Sequence, residues 1–355
     1  MEIEASIKGI TYQPFLCKTL SSFSHDQLRE ALAISTTFLY SFADLKQVAI
    51  SIWLSPKRTR SYPYSRVYDS LSFGGRKVTI IPLVKDEGAD GDCDYLQWDT
   101  VALMGLLGIY VIPAYYDGAQ SNPAYKNKIT NQLLSANYLE QRLIELENYH
   151  SSALHWNLEQ FERLSEVGEL ALAAYQAISN KLNVQLRSTK SLLNKMRELK
   201  SGKEDFLSLS RLRSQSAQRR ESNTVQPKEF FSGNKASVTI VDSVGGTYFL
   251  TADHCEIVDD VVLLVESKHS NTRALPAMDD IKDGLIKMTL FSNLTSVHHN
   301  SVQFKPLAVL RLAAHASFNT LTDSQVKHLT LLQREAVVNG FRLDLSGVNG
   351  FKSIR

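Results

Sequence analysis

The sequence predicts an α/β protein in three parts, with a C-terminal core containing a mixed β-sheet preceded by a long helical region and an N-terminal α/β domain. Apolar runs of strand length alternate with helical patterns near both ends of the chain. The proline-free stretch 137–200 has helical periodicity, and a basic, Ser- and Gln-rich stretch follows it. We therefore expect domains at 1–135, 136–228 and 229–355.

The N-terminal domain is predicted to alternate helices and strands. Ser24 and Gln27 have the spacing of a capping box, which predicts a helix that continues through Leu45. The later predicted elements are a strand at Arg76–Lys85, a helix at Asp94–Leu107 and a buried strand at Ile109–Tyr116. A strand, a helix and a strand in succession predict a sheet covered by helices.

The middle part is predicted to form one or two long helices. Leu139, Leu143 and Leu146 lie at positions i, i+4 and i+7, which places them on one helical face. We expect such helices to bridge the domains, to form a dimer interface or to contribute only to the hydrophobic core.

The C-terminal part contains a predicted β-hairpin. Residues 254–258 and the apolar run 261–265 are strand-like, and Asp259-Asp260 between them favours a turn. In an antiparallel pair closed by that turn, the open end brings together Asp253 and the segment from Glu266 to Lys268. Alternation along a strand places Glu266 and Lys268 on one face, with the serine between them on the other.

Two carboxylates and a lysine at one end of a hairpin can hold a divalent metal ion against a phosphodiester. Mg²⁺ prefers oxygen ligands, keeps several waters and usually takes one or two protein carboxylates. A metal there lowers the pKa of a bound water and stabilises charge on the phosphate. Lys268 would orient that water, help to deprotonate it, or neutralise the charge on the phosphorane.

Asp253 followed after twelve residues by Glu266-Ser267-Lys268 resembles the motif of the PD-(D/E)xK, or restriction-endonuclease-like, nucleases. Ala252 replaces the proline that usually precedes the aspartate. The resemblance covers roughly residues 230 to 320, where the expected neighbours are a strand at 236–243, a helix at 280–294 and a strand at 302–312. The stretch after the motif is similar to the corresponding part of several type II restriction enzymes.

This resemblance implies a restriction-endonuclease-like fold for the C-terminal part. It implies that Asp253 and Glu266 bind Mg²⁺ and that Lys268 assists catalysis. It further implies cleavage of double-stranded DNA at a short specific site by a homodimer, with a cognate DNA methyltransferase encoded nearby.

Two other interpretations of the same segment stay open. In the first, Glu266 and Lys268 are only polar, solvent-facing residues at the end of an apolar strand. In the second, Leu250–Cys255 resembles the histidine signature of trypsin-like serine proteases, which would make His254 a general base. That interpretation needs a serine in a glycine-rich turn, and the nearest segment, Leu345-Ser346-Gly347, lacks the preceding aspartate and glycine.

Residues 183–228 contain eleven cations and four acids, a net charge of +7. Beside a nuclease motif this favours a basic linker that faces DNA, since lysine and arginine contacts to phosphate supply most non-specific affinity. A solvated linker is the alternative. Lys282 and Lys287 on the following helix are expected to contact the DNA backbone or to face solvent. The predicted DNA-binding residues are Arg211, Arg213, Arg219, Arg220, His269, Arg273 and Lys282.

The N-terminal domain has a charged cluster with three open interpretations. A polar loop rich in turn-forming acids is one, and a role in DNA recognition or dimerisation is another. The third is a second, degenerate nuclease pattern that uses Asp69 and Lys85. The cluster comprises Asp69, Lys85, Asp86, Glu87, Asp92, Asp94 and Asp99.

Composition limits the remaining choices. The chain has 355 residues, 43% of them hydrophobic, and a net charge of only +2, so a nucleic-acid surface must be a local patch. Cys17, Cys93 and Cys255 have spacings that indicate neither a disulfide framework nor a zinc site. No apolar run reaches the length of a membrane span, and the N-terminus lacks a signal-peptide core, so we expect a cytoplasmic protein without membrane contact.

The sequence thus predicts a Mg²⁺-dependent endonuclease for double-stranded DNA, most similar to a site-specific type II restriction enzyme. The alternatives are a repair, recombination or phage-defence nuclease of the same fold, and a non-catalytic DNA-binding protein with a degenerate nuclease core.

Overall fold

The computed structural model describes residues 1–187, 235–242, 247–314 and 321–346, and it is a mixed α/β structure. The chain divides into two compact units. One unit combines residues 1–18 with the described residues from 235 onward, and the other comprises residues 19–187. The first eighteen residues therefore do not belong with the rest of the expected 1–135 domain, and the helical region shares a unit with that domain.

The described residues form seventeen strands and seven α-helices. The strands are β1 (Glu2–Ile7), β2 (Ser21–Ser24), β3 (Thr37–Ser41), β4 (Gln47–Ile52), β5 (Arg76–Pro82), β6 (Val84–Asp86), β7 (Cys93–Tyr95), β8 (Ile109–Ala114), β9 (Tyr116–Ser121), β10 (Ile129–Leu134), β11 (Ala236–Asp242), β12 (Thr247–Ala252), β13 (His254–Val258), β14 (Val261–Ser270), β15 (Leu294–His299), β16 (Val302–Ala314) and β17 (Arg342–Ser346). The helices are α1 (Leu28–Ile34), α2 (Pro63–Ser70), α3 (Trp98–Leu106), α4 (Ala136–Glu147), α5 (Ala153–Leu182), α6 (Met278–Phe291) and α7 (Asp323–Asn339).

The first unit is built on an eight-stranded mixed sheet with the strand order β12-β11-β1-β15-β16-β14-β13 and with β17 added beside β16. β1 is parallel to β11 and antiparallel to β15, so the N-terminal residues occupy an interior position of this sheet. β14 runs parallel to β16 over its whole length, and α6 packs against both strands. The helix ends at Phe291, earlier than expected, because Leu294 begins β15.

A buried glutamate fixes the segment after β1 within this unit. Glu335 on α7 is 0% exposed, and it accepts hydrogen bonds from the Tyr12 hydroxyl at 2.7 Å and from the Phe15 backbone N–H at 2.9 Å. The Asn339 side chain bonds the backbone N–H and carbonyl of Gln13 at 2.7 and 2.9 Å. These contacts and the pairing of β1 explain why 1–18 joins the C-terminal part.

The second unit contains a five-stranded mixed sheet with the order β2-β3-β4-β5-β8. The predicted capping box of Ser24 and Gln27 is present, but the helix from there ends at Ile34 and two antiparallel strands follow it, so the helix expected through Leu45 is wrong. The expected helix at 94–107 begins only at Trp98, after the short strand β7.

The predicted helical face of α4 lies in the core of this second unit. Leu139, Leu143 and Leu146 are all fully buried in one cluster with the sheet residues and with Trp156 of α5. Asn157 on α5 bonds the backbone of β8 at both Val111 and Ile109, which satisfies polar groups of that edge strand. None of the described helices has the length and apolar character that crossing a membrane requires.

Candidate functional site

Asp253 lies where the chain changes strand partners. It is the single residue between β12, which pairs with β11, and β13, which pairs with β14. Because β11 and β14 are far apart in the strand order, the chain must bend at this point. The Asp253 Oδ2 atom accepts a hydrogen bond of 2.8 Å from the backbone N–H of Ser267. This contact holds the aspartate against the segment that carries the other two candidate residues.

Glu266 and Lys268 share one face of β14, as alternation along the strand predicts. The hairpin register pairs His254 with Val265, so the open end places Asp253 beside Glu266. The Lys268 Nζ atom lies 2.9 Å from Glu266 Oε1, and Glu266 is only 3% exposed. The structure therefore brings together Asp253, Glu266 and Lys268.

Helix α6 adds two charged side chains to this group. Lys287 Nζ lies 2.8 Å from Glu266 Oε2 and donates a hydrogen bond of 3.0 Å to the Thr251 carbonyl. Asp283 Oδ2 lies 3.3 Å from Lys268 Nζ. Lys287 was expected to contact DNA or face solvent, whereas it binds a candidate metal ligand. Asp283 was not anticipated from the sequence, although its i, i+4 spacing with Lys287 on a predicted helix was a usable signal.

Gly284 allows α6 to approach β14 and β16 closely. A Cβ atom at this position would lie 2.9 Å from Leu310 Cδ1 and 3.2 Å from Lys268 Cε. Both distances are shorter than ordinary van der Waals contact between carbon atoms. The absence of a side chain here lets the helix pack over the Lys268 stem.

The electrostatics of this cluster depend on burial and on the close carboxylates. Burial and the nearby Glu266 carboxylate raise the pKa of Asp253 to about 6. Burial also raises the pKa of Glu266, but the charges of Lys287 and Lys268 outweigh it and leave that pKa lowered. Burial lowers the pKa of Lys268, and Glu266 and Asp283 reverse this effect so that the pKa is raised. Glu266 is thus ionised and Lys268 protonated near neutral pH.

The oxygen donors of Asp253 and Glu266 suit Mg²⁺ better than a transition metal. Among the described residues, no group of three or more His, Cys, Asp or Glu side chains is arranged to hold a metal ion. A two-carboxylate site is nevertheless ordinary for Mg²⁺, which keeps several of its waters. The ammonium groups of Lys268 and Lys287 already lie beside the Glu266 carboxylate.

The residues expected to bind DNA differ in how exposed they are and in whether the structure describes them. His269 is half-buried on β14, and Arg273 is exposed in the turn after that strand. Lys282 is 5% exposed within α6, so its side chain does not lie on the surface as a phosphate contact requires. The other four, Arg211, Arg213, Arg219 and Arg220, lie outside the described residues.

The protease interpretation receives no geometric support from the described part of the chain. His254 lies on β13, and its Nε2 atom is 3.7 Å from Glu256 Oε2 on the same strand. Its Nδ1 atom is buried without a hydrogen-bond partner among the described residues, so no aspartate orients the ring as a catalytic triad requires.

The charged cluster of the second unit forms a network of ion pairs. Glu87 lies 3.0 Å from Arg60, 3.4 Å from Lys85 and 3.5 Å from Lys128. Arg60 also pairs with Asp92 and, at 3.1 Å, with Asp94. These acids are matched by cations, which is typical of a structural network.

Two other acids of this cluster, Asp86 and Asp69, are also buried. Asp86 accepts backbone hydrogen bonds from Gly88 at 2.9 Å and Arg187 at 3.0 Å, while Asp69 is buried in α2. The side chain of Asp99 lies outside what the structure describes. Lys85 thus lies beside Glu87, as Lys268 lies beside Glu266, but Glu87 is also approached by Arg60 and Lys128.

Comparisons of this chain with protein-family models, with curated proteins and with solved structures find no match.

Proposed function

We propose that this protein is a Mg²⁺-dependent endonuclease that hydrolyses phosphodiester bonds in double-stranded DNA, with a restriction-endonuclease-like core in its first unit. The observation that carries the proposal is the convergence of Asp253, Glu266 and Lys268 at the open end of the β13–β14 hairpin. The three residues have the order and chemistry of the PD-(D/E)xK motif. Burying charge is costly, so a buried pair of carboxylates with a lysine is a candidate functional site.

Each residue has a distinct role in this proposal. Asp253 and Glu266 would hold Mg²⁺, one from the bend between β12 and β13 and the other from β14. When bound, the metal supplies a water of lowered pKa and stabilises negative charge on the phosphate. The Ser267 N–H donates a hydrogen bond to Asp253 Oδ2 and so fixes the aspartate relative to β14.

Lys268 acts in this scheme as a cation. Its raised pKa, caused by Glu266 and Asp283, keeps it protonated near neutral pH. A protonated lysine can orient the attacking water through a hydrogen bond and offset the charge that develops on the phosphorane, but it cannot accept a proton. Of the roles expected from the sequence, orientation and charge neutralisation are therefore favoured over general-base catalysis.

The proposal extends to a site-specific type II restriction enzyme that works as a homodimer. One site per chain and two strands to cut make a twofold dimer the natural assembly. A DNA methyltransferase encoded next to this protein would support the restriction role. Discrete fragments from plasmid DNA would also support it, while a smear would favour a less specific nuclease of the same fold.

Cleavage of plasmid DNA tests the proposal directly. We expect the wild-type protein with Mg²⁺ to cut the plasmid and Glu266→Gln to reduce the rate by about 10³-fold or more, because metal binding contributes several kcal/mol to such reactions. Glu256→Gln is the matched control, since this glutamate is exposed on the adjacent strand β13. Its cleavage rate should equal that of the wild type.

Two outcomes would contradict the proposal. If the wild-type protein binds DNA but does not cut it with Mg²⁺ or Mn²⁺, it is a DNA-binding protein with an inactive core. If Glu266→Gln folds normally and still cuts at the wild-type rate, the active site lies elsewhere. Thermal unfolding of each variant shows whether it is folded.

A further inference from the structure

A cavity of about 140 Å³ lies in the second unit between the β6–β7 hairpin and helix α5. One side of this cavity is a face of the hairpin. Side chains alternate along a strand, so Val84 and Asp86 of β6 share a face. The antiparallel register pairs these two residues with Tyr95 and Cys93 of β7, which therefore lie on the same face. All four residues line the cavity.

The opposite side of the cavity is one face of α5. The lining residues from this helix lie at positions i, i+3, i+4 and i+7, and they are Leu172, Tyr175, Gln176 and Ser179. Residues 185–187, which follow the helix, form a third side. Regular secondary structure thus shapes two sides of the cavity.

Tyr175 connects the helix to the hairpin at the buried end of the cavity. Its side chain is 4% exposed, and its hydroxyl accepts a hydrogen bond from the Asp86 backbone N–H at 3.0 Å and donates one to Gln132 Oε1 at 2.8 Å. The Gln132 side-chain amide in turn donates to the Asp86 carbonyl at 2.9 Å. Connected hydrogen bonds between buried groups hold this wall in one geometry, as a preformed binding site requires.

Asp86 gives the wall a hydrogen-bond acceptor. Its side chain is 6% exposed, and its two oxygens accept backbone N–H bonds, one from Gly88 at 2.9 Å and one from Arg187 at 3.0 Å. A carboxylate has about four lone-pair sites, so Asp86 can accept further hydrogen bonds. A ligand with an amino group would supply the donor, whereas a ligand carbonyl would place one acceptor against another.

The size and the aromatic lining of the cavity favour a single planar ring. An apolar cavity of about 150 Å³ is known to hold benzene, so a volume of about 140 Å³ accommodates one six-membered ring. Tyr95 and Tyr175 both line it, and aromatic side chains are the common stacking partners of nucleobases. A pyrimidine therefore fits this space better than a two-ring purine.

Arg187 places a cation at the open end of the cavity. It is exposed, and its guanidinium group donates to the backbone carbonyls of Gly88, at 3.4 Å, and Gly91. A guanidinium group has five N–H donors and is well suited to phosphate. A cation at this end favours a ligand with an anionic group and disfavours a cationic aromatic amine.

We propose that this cavity binds a cytosine nucleotide, with the ring between the hairpin and α5, the amino group toward Asp86 and the phosphate toward Arg187. Cytosine is the pyrimidine of DNA that carries an amino group, while thymine carries a carbonyl at the same position. The nucleotide is either free or part of a DNA strand whose base has left the stack. This inference goes beyond the proposed function, because the cavity belongs to the unit that does not contain Asp253, Glu266 and Lys268.

Protection of Cys93 from N-ethylmaleimide tests the proposal on the full-length protein in EDTA. Cys93 lines the cavity, and Cys17, which is also half-buried, is the internal control in the first unit. We expect dCMP to slow the labelling of Cys93, measured by mass spectrometry, and to leave that of Cys17 unchanged. The same protection should need at least about tenfold more dTMP, because its carbonyl faces the Asp86 carboxylate.

A cavity-filling variant locates the binding. Leu172→Trp places a larger side chain in the cavity, so dCMP should no longer protect Cys93 in this variant. Leu158→Trp is the matched control, since Leu158 lies on the same helix, is 36% exposed and does not line the cavity. Thermal unfolding shows whether both variants are folded. The comparison of dCMP with dTMP uses the wild type alone and remains decisive if Leu172→Trp does not fold.

A short single-stranded dC oligonucleotide, with a dT oligonucleotide as its control, identifies the source of the base. Protection by the dC oligonucleotide but not by dCMP indicates a base within DNA, and equal protection by both indicates a free nucleotide. The inference is overturned if neither protects Cys93, if the thymine compounds protect as well as the cytosine compounds, or if folded Leu172→Trp is still protected. Because these measurements need no metal and no cleavage, their failure leaves the proposed function intact, and a failure of cleavage leaves this inference intact.

Discussion

Each of the two units contains a cluster of charged side chains with little exposure, but the clusters balance their charges differently. In the first unit Asp253 lies beside Glu266, and burial and that second carboxylate raise its pKa to about 6. In the second unit burial raises the pKa of Glu87, but the cations Lys85, Arg60 and Lys128 outweigh it and lower the pKa. Both units contain both kinds of carboxylate, because Lys287 and Lys268 lower the pKa of Glu266 and because burial raises the pKa of Asp86 beside Glu87. They differ in geometry, since each Asp86 oxygen accepts a backbone hydrogen bond, whereas Asp253 and Glu266 meet at the open end of a hairpin.

The difference also appears in what the lysines contact. Lys268 and Lys287 converge on one carboxylate that is 3% exposed, and Asp253 next to it accepts a hydrogen bond from the Ser267 backbone N–H. Lys85 lies 3.4 Å from a glutamate that two other cations also approach. In the first unit two lysines thus lie on the two oxygens of one glutamate beside an aspartate, whereas in the second unit three cations surround one glutamate.

The largest expected effect on cleavage comes from replacing one lysine of each cluster, Lys268 or Lys85, with methionine, which keeps a similar apolar stem. We expect Lys268→Met to lower the rate of Mg²⁺-dependent plasmid cleavage by about 10³-fold, because it removes the cation that faces the developing phosphorane charge. Lys85→Met should leave the cleavage rate within about threefold of the wild type, since its charge belongs to the ion-pair network.

Measured initial rates at saturating Mg²⁺ distinguish the two clusters. Thermal unfolding must show that both variants are folded, and Ca²⁺-supported DNA binding must show that Lys268→Met still binds its substrate. Equal losses of cleavage in the two variants would mean that the contrast between the clusters has no functional meaning.

Much of the candidate site could be predicted because it is local in sequence. The turn acids Asp259 and Asp260, the apolar strand that follows and the alternation of Glu266 and Lys268 together determine which side chains meet at the open end of a hairpin. Asp259 adopts a φ of 55°, the left-handed conformation that aspartate tolerates in turns. These are short-range rules, and they located the convergence of Asp253 with Glu266 without knowledge of the rest of the fold.

The contacts of α6 could not be predicted in the same way. Whether Lys287 faces solvent or Glu266 depends on how the helix is rotated on the sheet, and that rotation follows from Gly284 packing against Leu310 and Lys268. A single-residue contact of this kind leaves no periodic signal. The sequence placed Lys287 on a helix as a cation, but it did not identify Glu266 as a residue that Lys287 contacts.

The pairing of β1 with β11 also could not be predicted from the sequence, because it joins residues more than two hundred positions apart.

The prediction of a helix through Leu45 was wrong for a more local reason. Phe38, Leu39 and Tyr40 follow the true helix end at Ile34 and belong to a strand, where aromatic residues pack well against neighbouring strands. The capping box located the start of the helix correctly and gave no information on its end.

A second, smaller effect concerns stability in the absence of metal. The folded-state pKa of Asp253, about 6, lies above its ordinary value of 3.8, so the folded protein binds more protons than the unfolded protein between about pH 4 and pH 6. The free energy of unfolding therefore falls as the pH rises through this window. We expect Asp253→Asn to be more stable than the wild type by up to about 3 kcal/mol at pH 8 with EDTA, because it removes the buried charge and keeps an acceptor for the Ser267 N–H.

Urea unfolding at several pH values checks this prediction. The advantage of Asp253→Asn should shrink as the pH falls and disappear below about pH 4, where the wild-type aspartate is protonated in both states. Saturating Ca²⁺ should reverse the order at pH 8, since only the wild type retains both proposed ligands. A variant that is less stable than the metal-free wild type at every pH would show that the Asp253 carboxylate is structural.

The smallest expected effect is a loss of stability, and it comes from a substitution of Glu87 in the second unit. The pKa of Glu87 is lowered, so its ion pairs stabilise the fold above its ordinary value of 4.5, and this contribution is lost as the pH falls through the folded-state pKa. We expect Glu87→Gln to reduce the free energy of unfolding by about 1 kcal/mol at pH 7, because the side chain is largely buried but its partners Arg60 and Lys128 are partly exposed. The difference from wild type should shrink as the pH falls below 4.5, and cleavage at neutral pH should be unaffected. If Glu87→Gln instead stabilised the protein at neutral pH, as Asp253→Asn is expected to do, Glu87 would also be a strained carboxylate, and the second unit would have to be considered as a site of its own.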